Sequence, residues 1–418
     1  MAISLEDLQA NAGFTRNEKG KVTFLPEPPR AERSFTVISC DDHLVEPKHT
    51  FEGRVPQKFA DRAPRVVEQD DGREMWLYDG HVLPNVGFNA VAGRPVNEYS
   101  FDPTRFDEMR KGTWDVAARV HDMDLNGIYA SLNFPSFLPG FAGQRLQSTT
   151  DDRELALACV RAWNDWMIDE WTAFAPERFI PMQLPILHDP ELAANEIRAN
   201  AERGFKAVTF SEAPHLLGLP SLHSRYWDPL MAACEETGTV VCLHVGSSGT
   251  SPATAPDAPS DAVGALFFAY AMFAAVDWLY SMIPVRFPEL RICLSEGGIG
   301  WVAGLIDRFE HMRRYDSMYG TFNDVGMTPA EVFRRNFWFC AIDDPSAYLQ
   351  TNVIGVENIM VESDYPHADT TWPNTQDVLR EQLAKLPKRA VERITWRNAS
   401  ELFRHPVPKA VQKDPDAY

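Results

Sequence analysis

Short apolar runs recur along this chain and alternate with stretches in which apolar residues follow helical spacing. The helical stretches include 151–175, 190–203 and 228–237, where apolar positions recur every three or four residues. Several of the short runs are almost continuously apolar, which is typical of parallel strands that are covered on both faces. The eight predicted strands are 35–40, 128–134, 179–187, 206–211, 239–244, 290–295, 337–342 and 358–363.

Eight strand–helix units in 418 residues predict an α/β fold, a distorted (β/α)8 TIM barrel with a long insertion after the first strand. A doubly wound open sheet is the alternative, but no glycine-rich GxGxxG motif follows the first predicted strand. We predict that the barrel spans 35–404. An N-terminal extension at 1–34 and a C-terminal tail at 405–418 are polar and are expected to run over its surface.

Two segments are longer than the strand–helix repeat requires. Residues 44–120 separate the first two strands and contain a predicted hairpin at 73–84 and a loop at 87–99. Residues 245–262 form a loop rich in Gly, Ser and Pro directly after the fifth strand. Because the loops that follow barrel strands build the active-site face of this fold, we expect both segments to border the site.

Charge and cysteine content narrow the class of protein. The chain has 40 Lys and Arg against 59 Asp and Glu, a net charge of −19, which argues against nucleic acid or an anionic membrane as partner. The six cysteines are scattered without a CxxC pair, which indicates a reducing compartment and free thiols. The apolar stretch 262–283 is interrupted by Gly264 and Asp277 and predicts a buried helix. We therefore expect a soluble, cytoplasmic protein that acts on a small molecule.

Side chains with metal-ligand chemistry follow several predicted strands. Asp41 and His43 follow the first strand, His244 ends the fifth, and Asp364 follows the eighth. Asp41 and His43 are two residues apart, so in an extended backbone their side chains point to the same side, whereas Asp42 points away and is expected to be structural. Carboxylates combined with imidazoles favour Zn²⁺, Mn²⁺ or Fe²⁺ over Mg²⁺ or Ca²⁺. The sequence therefore predicts a metal site at the mouth of the barrel.

The motifs around these residues resemble one known family. The strand-one D-x-H, "CLHVGSSG" after strand five, "LSEGGIGWV" after strand six and "ESDYPHADTTWP" after strand eight are similar to the amidohydrolase-related (amidohydrolase 2) branch of the amidohydrolase superfamily. That branch includes the aminocarboxymuconate-semialdehyde and γ-resorcylate decarboxylases. The resemblance implies a distorted barrel, a catalytic divalent metal and a homodimer. It makes Asp41 and His43 the strand-one ligands, His244 the strand-five ligand, and Asp364 the strand-eight ligand or base.

The sixth strand departs from the family pattern. Several relatives carry a histidine at its end, where this chain has Glu296. A glutamate can act as a base, ligate the metal, or orient a ligating histidine from the outer shell. Together with Asp41 and Glu212, Glu296 would also suit a two-metal centre. Arg94, in the long insertion, is a candidate for binding an anionic substrate group or for anchoring its own loop, and Phe88 and Trp372 are candidates for an apolar pocket or for the core.

The leading functional prediction is a metal-dependent hydrolase that uses an activated water to cleave an ester, thioester, amide or C–C bond of a small, largely apolar acyl substrate. Asp364 and Glu296 are its predicted catalytic residues. The alternative is a metal-dependent, non-oxidative decarboxylase of an aromatic or unsaturated acid, and a third possibility is a binding protein that has lost its chemistry. We expect one or two Zn, Fe or Mn ions per chain, with two favouring hydrolysis and one favouring decarboxylation.

Overall fold

The computed structural model describes residues 2–4, 22–83, 85–100, 103–315 and 317–418. All eight predicted barrel strands are present, and their ends differ from the predicted ones by a few residues. The third ends at Gln183 and not at 187, and Pro181, which has no backbone N–H, divides it into two segments. The strands are β1 (Ile38–His43), β2 (Ala130–Phe134), β3 (Phe179–Ile180 and Met182–Gln183), β4 (Ala207–Ser211), β5 (Val240–His244), β6 (Ile292–Ser295), β7 (Phe337–Ala341) and β8 (Ile359–Val361).

The strands pair in parallel in an order that returns to its start. From the first segment of β3 the order runs through β2, β1, β8, β7, β6, β5 and β4 to the second segment of β3. Since only Pro181 separates those two segments, the sheet curves round into the predicted (β/α)8 barrel. The pairing of β1 with β2 shifts register between Ser39 and Asp42, so the barrel is distorted at the strand that carries the predicted metal ligands. Elsewhere His244 pairs with Ser211 and Ser295, which places these strand ends at one level.

Helices surround the sheet, and the three helical stretches singled out in the sequence are all present. The helix at Pro190–Arg203 begins as predicted, because the Asp189 side chain accepts a hydrogen bond from Leu192 N at 3.0 Å. The stretch 151–175 forms Arg153–Trp166, continued by one wider turn at Met167–Thr172. The other α-helices are Val116–Asn126, Gln144–Ser148, Asp228–Thr237, Ser260–Ala265, Phe267–Tyr280, Ile283–Arg286, Val302–Met312, Pro329–Asn336, Thr351–Ile354, Thr375–Gln382, Lys388–Glu392, Asn398–Leu402 and Lys409–Lys413.

The C-terminal tail closes the end of the barrel opposite the strand termini that carry the predicted ligands. Val411 is buried with the inward-facing side chains of the barrel, and its carbonyl accepts a hydrogen bond from Thr36 Oγ1 at 2.7 Å. His405 lies 2.8 Å from the carbonyl oxygen of Glu177. His405, Val407 and Val411 therefore pack against the barrel, whereas most of the other residues in 405–418 are exposed, as its polar sequence predicted. All six cysteines are buried free thiols.

The apolar stretch 262–283 is only partly buried, so the prediction of a buried helix is wrong for one of its faces. Phe267–Tyr280 packs one side against the barrel, but Phe268 and Phe273 are 45% and 60% exposed. A Cβ at Gly297, beyond β6, would overlap the Cβ of Ala271 on this helix, so the close approach requires glycine there. Within the described ranges, no helix combines the length and the apolarity needed to cross a membrane.

The described parts of both long insertions form strands and border the barrel. The predicted hairpin is confirmed and has a third strand, giving an antiparallel sheet of Arg65–Glu68, Glu74–Tyr78 and His81–Leu83. In the second insertion, Thr250–Pro252 pairs in antiparallel fashion with Ala2–Ser4. Both insertions reach the same cavity at the C-terminal face of the barrel, which is lined by Phe88 from the first and by Val245 and Ser251 from the second.

Candidate metal centre

The ends of β1 and β5 bring three predicted metal ligands together. Asp41, His43 and His244 each offer a ligand atom, and these atoms all lie within 4.8 Å of one another. The Nε2 atoms of His43 and His244 are 2.9 Å apart, and all three side chains are almost completely buried. His244 Nδ1 lies 2.6 Å from the carbonyl oxygen of Val245, to which it donates, so its Nε2 keeps a lone pair directed into the centre. Asp41 and His43 share one side of their strand, as predicted.

Two carboxylates at this centre have no hydrogen-bond donor. Both oxygens of Asp41 and both oxygens of Asp364 are buried and unpartnered among the described residues. His43 Nε2 lies 3.5 Å from an oxygen of each. Burial, followed by the charges of Glu362 and Glu296, raises the pKa of Asp41 well above its usual value. Burial, followed by the charges of Glu296 and Asp41, does the same to the pKa of Asp364. A buried divalent cation would satisfy these oxygens, so the residues fit the metal that the motifs predict.

His43 is held in the neutral form that binds metal. Burial, together with the neighbouring His367 and His244, lowers the pKa of His43 well below its usual value. A neutral imidazole offers the lone pair that a metal needs. The ring of Phe141 lies 4.9 Å from the ring of His43 and 4.3 Å from that of His244, which adds an apolar wall beside both ligands.

Glu296 lies in the centre, as one of the interpretations of its sequence position required. Its Oε2 is 3.0 Å from His244 Nε2, and its backbone N–H donates to Glu362 Oε2 at 3.0 Å. Glu296 and Asp364 both have positive φ values, 56° and 51°, in the left-handed region that residues other than glycine rarely occupy. Such backbone strain is found where the surrounding structure imposes it, often at functional sites. Burial raises the pKa of Glu296, although His244 partly opposes the shift.

His367 belongs to the same centre, although no role was assigned to it from the sequence. Its ring stacks on the ring of His43 with centroids 3.8 Å apart. With His43 and Glu296 it forms a second group whose ligand atoms lie within 4.8 Å of one another. Burial, followed by the charge of His244, lowers the pKa of His367 well below its usual value. The available signal was its position three residues after Asp364 in the "SDYPH" motif.

Asp42 is structural, as its position on the opposite side of β1 predicted. Its Oδ1 accepts hydrogen bonds from Ser39 Oγ at 3.0 Å, from Ser363 Oγ at 2.5 Å and from Tyr365 N at 3.1 Å. The last two donors flank Asp364. Asp42 therefore joins β1 to the residues after β8 and fixes the backbone on both sides of a predicted metal ligand.

Two other candidates lie outside the centre. Glu212 accepts hydrogen bonds from the hydroxyls of Ser247 and Ser248, the latter at 2.7 Å, so it anchors the loop after β5 and joins neither ligand group. This removes the carboxylate that a two-metal centre would have taken from β4. Arg94 donates to the carbonyl oxygen of Glu108 at 2.7 Å, which supports the loop-anchoring interpretation rather than substrate binding.

A cavity of about 240 Å³ lies over the centre. Its walls are mostly apolar. The two ligand groups are Asp41, His43 and His244, and His43, Glu296 and His367; of these residues, Glu296 and His367 line the cavity. Phe88 lines the cavity, which is one of the two alternatives that its sequence position left open. Trp372 does not; its indole N–H donates to the carbonyl oxygen of Asp122 at 3.1 Å and its ring packs beside Tyr365. The apolar lining consists mainly of Phe88, Phe137, Phe141, Phe267, Val245 and Val263.

Comparison with known families agrees with this geometry. The family profile described as Amidohydrolase (Amidohydro_2) matches residues 77–405, most of the chain. A search of curated proteins gave no match.

Solved structures share the fold at low sequence identity. An amidohydrolase from Mycobacterium avium subsp. paratuberculosis K-10 superposes with a TM-score of 0.70 at 22% identity, covering 89% of this chain and 100% of the other. A 5-carboxyvanillate decarboxylase from Sphingomonas paucimobilis gives 0.60 at 20% identity, covering 89% and 99%. A dihydroxybenzoic acid decarboxylase from Polaromonas sp. JS666, solved with manganese and 2-nitroresorcinol, gives 0.59 at 18% identity, covering 88% and 97%.

Proposed function

We propose that this chain, which belongs to the amidohydrolase family, is a metal-dependent decarboxylase of a small aromatic or unsaturated carboxylic acid. The observation that carries the proposal is the cavity, whose phenylalanine-rich walls lead to Glu296 and His367 at the centre. A flat apolar ring fits between such walls, and a carboxylate attached to it would point toward the cation site. The similarity to two solved aromatic-acid decarboxylases supports this over the hydrolase that the sequence favoured.

The residues that would hold the metal are Asp41, His43, His244 and Asp364. When bound, a divalent cation would supply the positive charge that draws a substrate carboxylate to the floor of the cavity. Manganese is present in the dihydroxybenzoic acid decarboxylase structure, and carboxylate with imidazole suits Mn²⁺ as well as Zn²⁺ and Fe²⁺. The identity and number of the ions in this chain remain predictions, as do its homodimeric state and its cytoplasmic location.

The protein side chains have two tasks in this reaction. The rings that line the cavity, Phe88 and Phe141 among them, hold the substrate and exclude water. Decarboxylation breaks the bond between a ring or alkene carbon and the carboxylate carbon. The carboxylate carbon leaves as carbon dioxide, and the electron pair of the broken bond stays on the ring or alkene carbon, which takes up a proton. Glu296 lines the cavity and its burial favours the protonated form, so we assign proton delivery to Glu296. Proton transfer by Asp364, which lies behind the cavity wall, stays a prediction.

Hydrolysis is the second candidate, and the position of Glu296 favours it. A carboxylate 3.0 Å from His244 Nε2 is placed to take a proton from a water bound at the centre. That water would then attack an ester or amide carbonyl in the cavity. A coenzyme A thioester is the less favoured substrate of this class, because a chain of net charge −19 offers the phosphates no attractive field.

The two reactions can be separated in one experiment. The purified protein, loaded in turn with Mn²⁺, Zn²⁺ and Fe²⁺, is incubated with a panel of hydroxybenzoic acids and with matched aryl esters, amides and thioesters. We expect carbon dioxide from one or more of the acids and, in D₂O, deuterium at the ring carbon that loses the carboxylate. Cleavage of an ester, amide or thioester with no carbon dioxide from any acid would contradict the proposal and support the hydrolase. Metal analysis of the same samples gives the number of ions per chain.

A further inference from the structure

His367 is a buried polar side chain to which the proposed reaction assigns no task. Its side chain is 5% exposed, and its Nδ1 has no hydrogen-bond partner among the described residues. A buried ring nitrogen without a partner is destabilising unless another group satisfies it. The side chain is nevertheless held in place, because its ring stacks on that of His43, 3.8 Å away between centroids.

The surroundings of His367 are those of a metal ligand. Its Nδ1 lies 2.9 Å from Asp364 Oδ1, yet no hydrogen bond joins the two atoms, and both count as unpartnered. A ligand atom of His367 also lies within 4.8 Å of ligand atoms of Glu296 and His43. An imidazole and a carboxylate that approach this closely without a hydrogen bond are arranged as two ligands facing one cation.

The position of His367 relative to the cavity adds a second argument. Asp41, His43 and His244 do not line the cavity, whereas His367 does. We propose that His367 is a third imidazole ligand of the metal, on the side of the centre that faces the substrate. The proposal rests on the chain being a metal enzyme and is independent of whether it catalyses decarboxylation or hydrolysis.

His367 could also have these contacts without binding the metal, and its removal would then lower metal affinity less. It could orient Asp364 by a hydrogen bond formed after a small rotation of either side chain, and removal of such an outer partner costs about 10- to 100-fold in metal affinity. Loss of a ligand should cost more than that, and it should remove one nitrogen from the coordination sphere. The number of imidazoles on the metal is therefore the decisive measurement.

The test uses the whole chain with metal alone. The wild-type protein, His367→Ala and the control His188→Ala are stripped with chelator, loaded with Cu²⁺ and compared by pulsed electron paramagnetic resonance, which counts coordinated imidazoles. Zn²⁺ affinity is measured in parallel by competition with a chromophoric chelator. His188 is a suitable control because its Nδ1 is also buried without a partner, while it lies outside both ligand groups.

We expect three imidazoles in the wild type and in His188→Ala, two in His367→Ala, and a loss of Zn²⁺ affinity greater than about 100-fold only in His367→Ala. The same imidazole count in His367→Ala as in the wild type would overturn the proposal, whatever the affinity. If His367→Ala does not fold, His367→Asn, which keeps a polar side chain, is judged by the same count. No substrate is present, so absence of decarboxylation in the activity assay leaves this result unaffected.

Discussion

Replacing Glu296 with glutamine separates the roles that the structure allows this residue. The amide keeps the shape of the side chain and an oxygen near His244, but it cannot exchange a proton and it is a poor metal ligand. The Glu296 side chain is 10% exposed and lines the cavity. Glu296→Gln therefore removes charge and proton transfer while leaving the cavity walls in place.

The expected loss of rate in Glu296→Gln depends on whether Glu296 transfers a proton or only orients His244. Proton transfer by a positioned side chain contributes about 10²- to 10⁴-fold in rate, which corresponds to about 2.7–5.4 kcal/mol of activation free energy. An outer partner that only orients His244 contributes about 10- to 100-fold, or about 1.4–2.7 kcal/mol. We expect the loss in kcat that corresponds to proton transfer. Of the carboxylates in the two ligand groups, Glu296 lines the cavity and Asp41 does not.

The assay is steady-state release of carbon dioxide, or product formation from whichever substrate the panel identifies, with metal content measured on the same samples. Glu46→Gln is the matched control. Glu46 is also a glutamate with little exposure, but its carboxylate accepts hydrogen bonds from Ser136 and from Trp163 Nε1 at 2.9 Å, outside both ligand groups. A loss of kcat smaller than about 100-fold in Glu296→Gln, at full metal content, would fit a residue that only orients His244 and would refute the assignment of proton delivery to Glu296. A fall in metal content as well as kcat would show that Glu296 is also a ligand.

Three further predictions concern the rest of the centre. His244→Ala should lose or strongly weaken metal binding while the circular dichroism spectrum stays that of the wild type, because the barrel core does not depend on this side chain; full metal content would remove His244 from the ligand set. Asp364→Asn should lower turnover at least about 10²-fold if Asp364 ligates the metal or transfers a proton, and turnover near the wild-type value would show that it only shapes the turn after β8. Metal binding should release protons and strengthen as pH rises, because burial raises the pKa of Asp41 and Asp364 and these carboxyls keep protons at pH values where exposed carboxyls have lost them. Titration calorimetry in two buffers of different protonation enthalpy measures that release, and a binding constant independent of pH between 5 and 8 would contradict it.

The strands could be predicted from the sequence because each is a short, continuous apolar run with polar residues at both ends. Such a run depends on only a few adjacent residues. All eight runs form barrel strands. The largest error is at 179–187, where the strand ends at Gln183 and is interrupted at Pro181. The helix start at Asp189 was equally local, since an acidic residue before proline satisfies the free N–H groups of the first turn. The exposed face of Phe267–Tyr280 was not predictable in this way, because exposure depends on what packs against the helix and not on its composition.

The sequence by itself determined which strands would carry the predicted metal ligands. Asp41, His43, His244 and Asp364 stand at or just beyond strand ends, and in a barrel the ends of parallel strands converge on one face. Their convergence, with two pairs of unpartnered carboxylate oxygens, follows from that rule. Only the tertiary structure showed which of the other polar residues near strand ends lie in the centre. Glu212 also follows a strand, but it meets the hydroxyls of Ser247 and Ser248 and is taken out of the centre.

The positions of the His367 and Glu296 side chains at the centre could be determined only from the tertiary structure. Glu296 reaches His244 because its backbone adopts a left-handed conformation, which cannot be predicted from a glutamate in the sequence. His367 is positioned by the turn that follows Asp364. Strand periodicity predicts the side to which a residue points only while the chain remains extended. Beyond the strand end, side-chain direction is set by contacts with segments far away in sequence, and those contacts exist only in the folded protein.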